Sequence, residues 1–171
     1  EQYVEMVLSC ARLESDSTDY VIRSLPLEQI VKPAVRKYAP MFISKKLSLE
    51  MSSLTATVLT DEKWAQFIVE QILSNSLKYT RTGSIRIWQK DPAALVIEDT
   101  GIGIDPADIP RLGERGFTGY NGRLDKKSTG IGLYLCKEIS RRLSHTLTIE
   151  SEPGKGTRVT IDFATRQLQA E

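Results

Sequence analysis

Gln71, Asn75, Lys78 and Tyr79 follow one another at intervals of four, three and one. On a helix these side chains share a face over about two turns. An amide oxygen there suits Mg²⁺, a hard cation that takes oxygen ligands and keeps several waters. The lysine can meet phosphate as a point charge, and the aromatic ring can pack against a base. A second set, Asp99-Thr100-Gly101-Ile102-Gly103, leaves the end of the apolar run Leu95-Val96-Ile97. A carboxylate just past a buried strand end is an acceptor pointed into a cleft, and the glycines let a flat ligand come close to the backbone. Downstream, Gly113, Gly116, Gly119 and Gly122 interleave with Arg115, Arg123, Lys126 and Lys127. This is the composition of a lid over an anionic ligand. Thr129-Gly130-Ile131-Gly132-Leu133 then opens a helix whose free N–H groups and positive dipole end form a phosphate site. Taken singly, each set also reads as a solvated helix face, a turn or a plain loop. Together they suggest a nucleotide site.

The rest of the composition narrows the chemistry. The 171 residues contain 40% hydrophobic and 26% charged residues, enough for one domain with a real core. Net charge is +1, so no global field recruits nucleic acid. No apolar run approaches the roughly 20 residues of a membrane helix, and no signal peptide is expected at the start. Cys10 and Cys136 form no metal pattern and fit a reducing compartment. His145 is the one histidine. The third glycine of GxGxxG is missing, and GxxxxGK[ST] does not occur, which removes the dinucleotide fingerprint and the P-loop.

Certain elements must position these residues. Tyr3, Met6, Cys10 and Leu13 form a heptad-like seam on a helix over residues 1–15, with Ser15–Asp19 as a polar linker. Docking on its own domain and contact with a partner helix both remain open for that helix. The body of the domain starts near Ser24, where Ser24-Leu25-Pro26 signals a helix start. Ile30, Val31, Ala34, Val35, Tyr38, Phe42 and Ile43 give its inward face, and Pro33 and Pro40 predict a kink or an early end. Strands are expected at Leu47–Met51 and Thr57–Leu59. Asp61 then caps a long helix with Trp64, Phe67, Ile68, Ile72, Leu73 and Leu77 inward. Ser84–Gln89 and Leu95–Asp99 read as a hairpin turned at Asp91-Pro92, and Pro106–Leu112 as a short helix. Ile131, Leu135, Ile139 and Leu143 line the last helix. A second hairpin, Leu147–Ile149 with Val159–Ile161, turns at Pro153–Gly156 and brings Thr157 near the first strand pair.

The order Asn75-x-x-Lys78-Tyr79, Asp99-x-Gly101-x-Gly103, Gly130-x-Gly132-Leu133 and Gly154-x-Gly156-Thr157 resembles the catalytic ATP-binding domain of bacterial sensor histidine kinases, in the GHKL superfamily. The resemblance covers roughly residues 24–165. It implies an α+β fold of the Bergerat type, a two-layer sandwich with a mixed, mostly antiparallel sheet and helices on one face. It also implies MgATP as cofactor, with Asn75 holding Mg²⁺, Lys78 touching phosphate and Tyr79 packing beside adenine. Asp99 would accept the adenine amino group beside Gly101, with Gly103 and Thr157 supporting the base. Lys127, Thr129, Gly130, Ile131, Gly132 and Leu133 would carry the closing end of the lid and the phosphate-binding helix start. Phe117 looks like the lid aromatic. Gln71 falls where the family places a residue that assists the attacking histidine. A neutral amide has no useful basicity, so its role is orientation. Tyr3 to Ile22 resembles the end of the dimerisation region in the intramembrane, antimicrobial-peptide-sensing kinases. Residues 1–19 would then be a helix end and linker, and 20–171 the catalytic domain.

The resemblance implies γ-phosphoryl transfer to a histidine and relay to a response regulator. His145 has no H-box context, so the acceptor is expected outside this sequence, on a dimerisation and histidine-phosphotransfer domain of the same protein. A homodimer through the N-terminal helix and a place in the cytoplasmic part of a bacterial membrane protein are implied in the same way. Another GHKL ATPase or serine kinase, and a non-catalytic nucleotide-binding module, are the competing readings.

Overall fold

A computed structural model of the chain describes residues 20–90, 92–119 and 129–164, with Leu8 and Ala11. Apart from those two residues, which are helical, the expected N-terminal helix and linker lie outside the described residues. So do Asp91 and the segment 120–128, which includes Lys127.

Described elements run β1 (Ile22–Pro26), α1 (Leu27–Lys45), β2 (Ser48–Met51), β3 (Thr57–Asp61), α2 (Glu62–Tyr79), β4 (Ser84–Lys90), β5 (Ala94–Asp99), a 3₁₀ turn (Ile109–Arg111), α3 (Gly132–Arg142), β6 (Thr146–Glu152) and β7 (Gly156–Asp162). Five strands form one sheet in the order β2-β4-β5-β7-β6, while β1 and β3 pair separately. Every pairing is antiparallel except β2 with β4. The inner face of the large sheet presents Ile85, Ile87, Leu95, Ile97 and Ile161, all buried with Ile68, Leu73, Leu77, Leu135 and Ile139 of the helices. This is the expected two-layer arrangement.

The outer face carries a row of alternating charge. Glu50, Arg86, Glu98, Arg158 and Glu150 stand opposite one another across all five strands. Glu98 lies 2.6 Å from Arg86 and 2.6 Å from Arg158. Partial burial pulls the Glu98 carboxyl upward, but the two guanidiniums prevail and hold it below the usual range. Both cations also lie over the Trp88 ring, at 5.4 and 5.7 Å. With Glu98 paired to both arginines, this face can meet water, and the helices cover the other side.

Several expectations about α1 need correction. The chain does not start a helix at Ser24: Ile22–Pro26 is a strand, and Pro26 is the N-cap. Of its five residues only Leu25 is buried, which leaves no alternation to read. Pro33 and Pro40 lie inside α1, which continues to Lys45. Both are on the solvent side, where the carbonyls they free can find other donors. The Gln29 carbonyl, one turn before Pro33, accepts from Gln66 Nε2 at 3.4 Å. The apolar stripe thus outweighs the two breakers. Ile43, expected inward, is 77% exposed, just before the turn at Lys46 (φ 55°) that ends the helix. Pro106–Leu112 is not a helix but a turn followed by one 3₁₀ turn. Asp105 Oδ1 accepts from Ala107 N–H at 2.8 Å, closing a local turn instead of a helical one.

The helix α2 fits its reading. Asp61 accepts from Trp64 N–H at 3.0 Å as the N-cap, and its other oxygen accepts from Val21 N–H at 2.8 Å. At the far end Lys45 donates to the Leu77 carbonyl, putting a cation on the negative end of the helix. The 18 residues span about 27 Å at 1.5 Å per residue. A fully buried threonine brackets each end, Thr60 and Thr80.

Candidate functional site

The C-terminal half of α2 lies over the end of β5. Gln71, Asn75, Lys78 and Tyr79 are all half-buried along it, as their spacing predicts. Lys78 Nζ lies 5.2 Å from the centre of the Tyr79 ring. Below this face, Asp99 is the last residue of β5 and 5% exposed. Its Oδ1 accepts from Gly101 N–H at 2.9 Å and from Thr157 N–H at 3.2 Å. Ser76 donates to the same carboxylate from α2. Burial drives the Asp99 carboxyl above its ordinary range, and these three donors work against that rise.

The loop after Asp99 is tied down on both sides. Ile102 N–H donates to the Tyr79 carbonyl at 3.1 Å, and Gly154 N–H donates to the Ile102 carbonyl at 2.8 Å. Ile104 N–H donates to Ser151 Oγ at 2.9 Å, and the Ser151 and Thr157 hydroxyls pair at 2.9 Å. Gly101 and Gly103, both buried, therefore run between the helix end and the second hairpin. A Cβ on Gly101 would stand 2.6 Å from the Tyr79 carbonyl oxygen and 2.8 Å from Asp99 Oδ1. No side chain fits between the helix and the carboxylate.

A second group assembles at the two described edges of the glycine-rich segment. Arg111 lies over the Phe117 ring, 4.2 Å from its centre. Gly130, at φ +66°, passes so close to Phe117 that a Cβ would meet the Phe117 carbonyl oxygen at 2.6 Å. Thr129, Gly130, Ile131, Gly132 and Leu133 are half-buried, and α3 begins at Gly132 with no side-chain cap. Thr129 Oγ1 accepts from Ile131 N–H at 3.4 Å, and the N–H groups that follow have no acceptor within the helix. Lys137 Nζ donates to the Leu112 carbonyl, fastening the start of this segment to α3.

Two further residues belong to this region, and neither stands out by motif. Ser76 is 4% exposed and bonded to Asp99, and Thr80 is fully buried beside Gly101. Ser76 follows Ile72 by four and Leu73 by three, so it is a hydroxyl on the apolar stripe. That mismatch was the available signal.

His145 lies at the other end of α2. It is 6% exposed, with Nε2 2.8 Å from Thr60 Oγ1 and its ring edge-on to Phe163 at 4.9 Å. Burial pushes its pKa down to about 4 against the pull of Asp162. A neutral ring held this way is a core group, as its sequence context suggested.

Residues 60–167 match the family described as histidine kinase-, DNA gyrase B- and HSP90-like ATPases. The sensor histidine kinase YxdK of Bacillus subtilis (strain 168) is 34% identical over 169 residues, covering 95% of this chain and 52% of that protein. The sensor protein kinase GraS of Staphylococcus aureus (strain JH1) is 34% identical over 160 residues, covering 91% and 46%. This chain thus spans about half the length of these relatives. Among solved structures, full-length ShkA in complex with AMPPNP aligns with a TM-score of 0.78 at 21% identity, over 98% of this chain and 37% of that one. The catalytic domain of histidine kinase ThkA aligns with a TM-score of 0.72 at 14% identity, over 85% and 96%.

Proposed function

The chain belongs to the family of histidine kinase-, DNA gyrase B- and HSP90-like ATPases, and from that membership we propose that it is the ATP-binding catalytic domain of a sensor histidine kinase. The observation that carries this reading is Asp99. An ionised carboxylate offers about four acceptor positions. Gly101, Thr157 and Ser76 take three of them. One direction is left for a donor arriving in the cleft, and the exocyclic amino group of adenine is such a donor. Gly101 and Gly103 keep the approach flat, and Thr157 and Tyr79 flank the base.

The cation chemistry fits as well. Among the described residues there is no cluster of three or more His, Cys, Asp or Glu. A cation here would be held mainly by phosphate and water, with the Asn75 amide oxygen as one ligand, which is how Mg²⁺ binds nucleotides. Bound Mg²⁺ would supply neutralisation of phosphate charge. Lys78, Lys127, Thr129 and the N–H groups from Gly130 to Leu133 would meet the remaining phosphate oxygens. Gln71 would orient the incoming nucleophile, and Phe117 would anchor the lid. The protein's part in the transfer is positioning and charge neutralisation.

The acceptor of the γ-phosphoryl group is a histidine other than His145, whose ring is buried and bonded about one helix length from the cleft. Residues 1–19 would be the end of a dimerisation helix and its linker, and 20–171 the catalytic domain. The partners are then the histidine-phosphotransfer domain of the same protein, its dimer mate and a response regulator. No described helix is long and apolar enough to cross a membrane, and the domain would work on the cytoplasmic side of a membrane-bound sensor.

Calorimetric titration with ATP, with and without Mg²⁺, tests the reading. Saturable binding, followed by phosphotransfer to a histidine domain supplied in trans, is the expected result. No binding at millimolar ATP would overturn it.

A further inference from the structure

The last turn of α2 brings two buried hydroxyls, Ser76 and Thr80, to the Asp99–Gly101 turn. They differ in use. Thr80 Oγ1 has no hydrogen-bond partner among the described residues, although it stands 2.9 Å from where a Cβ on Gly101 would be. Ser76 is bonded to the carboxylate, and its backbone carbonyl accepts from Thr80 N–H at 3.0 Å. The serine is therefore held at both its backbone and its side chain. The other two donors to Asp99 are backbone N–H groups of the turn and of β7. Ser76 is the one that reaches the carboxylate from the helix bearing Asn75 and Lys78.

We infer that Ser76 is a positioning residue for base recognition, its hydroxyl fixing the direction in which the Asp99 carboxylate faces the adenine amino group. The inference rests on the ATP reading above and adds to it a residue that touches no nucleotide. Without the hydroxyl, Asp99 keeps two donors, both on Oδ1, and loses the one from α2. The acceptor aimed at the amino group is then no longer fixed. A hydrogen bond from a neutral donor to a charged group commonly supports about a tenfold difference in binding.

The test compares ATP with purine riboside triphosphate, which lacks the amino group, by calorimetric titration of the full chain and of Ser76→Ala and Ser76→Thr. The expected result is that Ser76→Ala weakens ATP about tenfold and leaves the amino-free nucleotide unchanged. Ser76→Thr, which keeps the hydroxyl, should restore the preference. A helix-packing role would weaken both nucleotides together, and that result would overturn the inference. An unchanged preference in Ser76→Ala would also overturn it while leaving the ATP reading standing. Failure of the unmutated chain to bind ATP would overturn the ATP reading itself.

Discussion

Asp99 and His145 are buried titratable groups at opposite ends of α2, and the fold treats them in opposite ways. Asp99, at the C-terminal end, gathers donors from a turn, a strand and a helix. The His145 ring, at the N-terminal end, bonds through Nε2 to Thr60, and its Nδ1 has no partner among the described residues. Burial alone pushes an acid up and a base down, and it does both here. At Asp99 three hydrogen-bond donors keep the charged form, whereas at His145 the Asp162 charge favours it without a hydrogen bond. A structural core group needs no such help, because it can stay neutral. Donors set against burial separate these two sites from one another, although a structural carboxylate such as Glu98 also has them from Arg86 and Arg158.

Substitution should separate the two sites most sharply. Asp99→Asn is expected to weaken ATP on the order of 100-fold, from the loss of a charged acceptor. The melting temperature should hold or rise, because a buried charge has gone. A large fall in melting temperature, measured by calorimetry, would make Asp99 a structural group like His145. His145→Ala should do the reverse, costing about 2–3 kcal/mol in urea unfolding through a cavity and an orphaned Thr60, with ATP affinity unchanged.

Acid should move the two sites in opposite directions. The folded pKa of His145 is below its unfolded value. Its contribution is therefore fully present above about pH 6.5 and lost as pH falls towards about 4. The loss should be on the order of 3 kcal/mol, and it should vanish from the unfolding curves of His145→Phe. The folded pKa of Asp99 is raised, so its protonation relieves a buried charge and stabilises the fold as pH drops. The same protonation removes an acceptor, so ATP affinity should fall while that contribution to stability grows. The smallest effect is expected for Thr80→Val. It removes a buried hydroxyl with no described partner and should leave unfolding unchanged or up to about 1 kcal/mol more favourable to the fold. A loss instead would show that Thr80 is engaged in the same way as Ser76.

The sequence shows α2 clearly, because Asp61, Trp64 and the run to Leu77 carry both a cap and a 3.6-residue period. The carboxylate and glycine loops are equally plain, since residue types with few other uses recur in order. The strand Ile22–Pro26 is hidden because it buries one side chain and ends in a proline. The persistence of α1 through Pro33 and Pro40 depends on where the freed carbonyls point, which is a tertiary fact. Ser76 is written in the sequence only as an interruption of an apolar stripe. What it bonds to is fixed by β5, more than 20 residues away.

The row of charges on the water side of the sheet bears on this as well. A slip of one residue between strands would turn the apolar side chains outward, so the inner face forbids it. A slip of two would keep them inward, exchanging Leu95 for Ile97 at little cost. That same slip would move Glu98 from between Arg86 and Arg158 and leave two guanidiniums facing each other across Val96 or a loop. The charged row therefore selects the single alignment that sets Asp99 level with Thr157 and beneath Ser76. The height of the acceptor in the cleft is gauged from the opposite surface of the sheet.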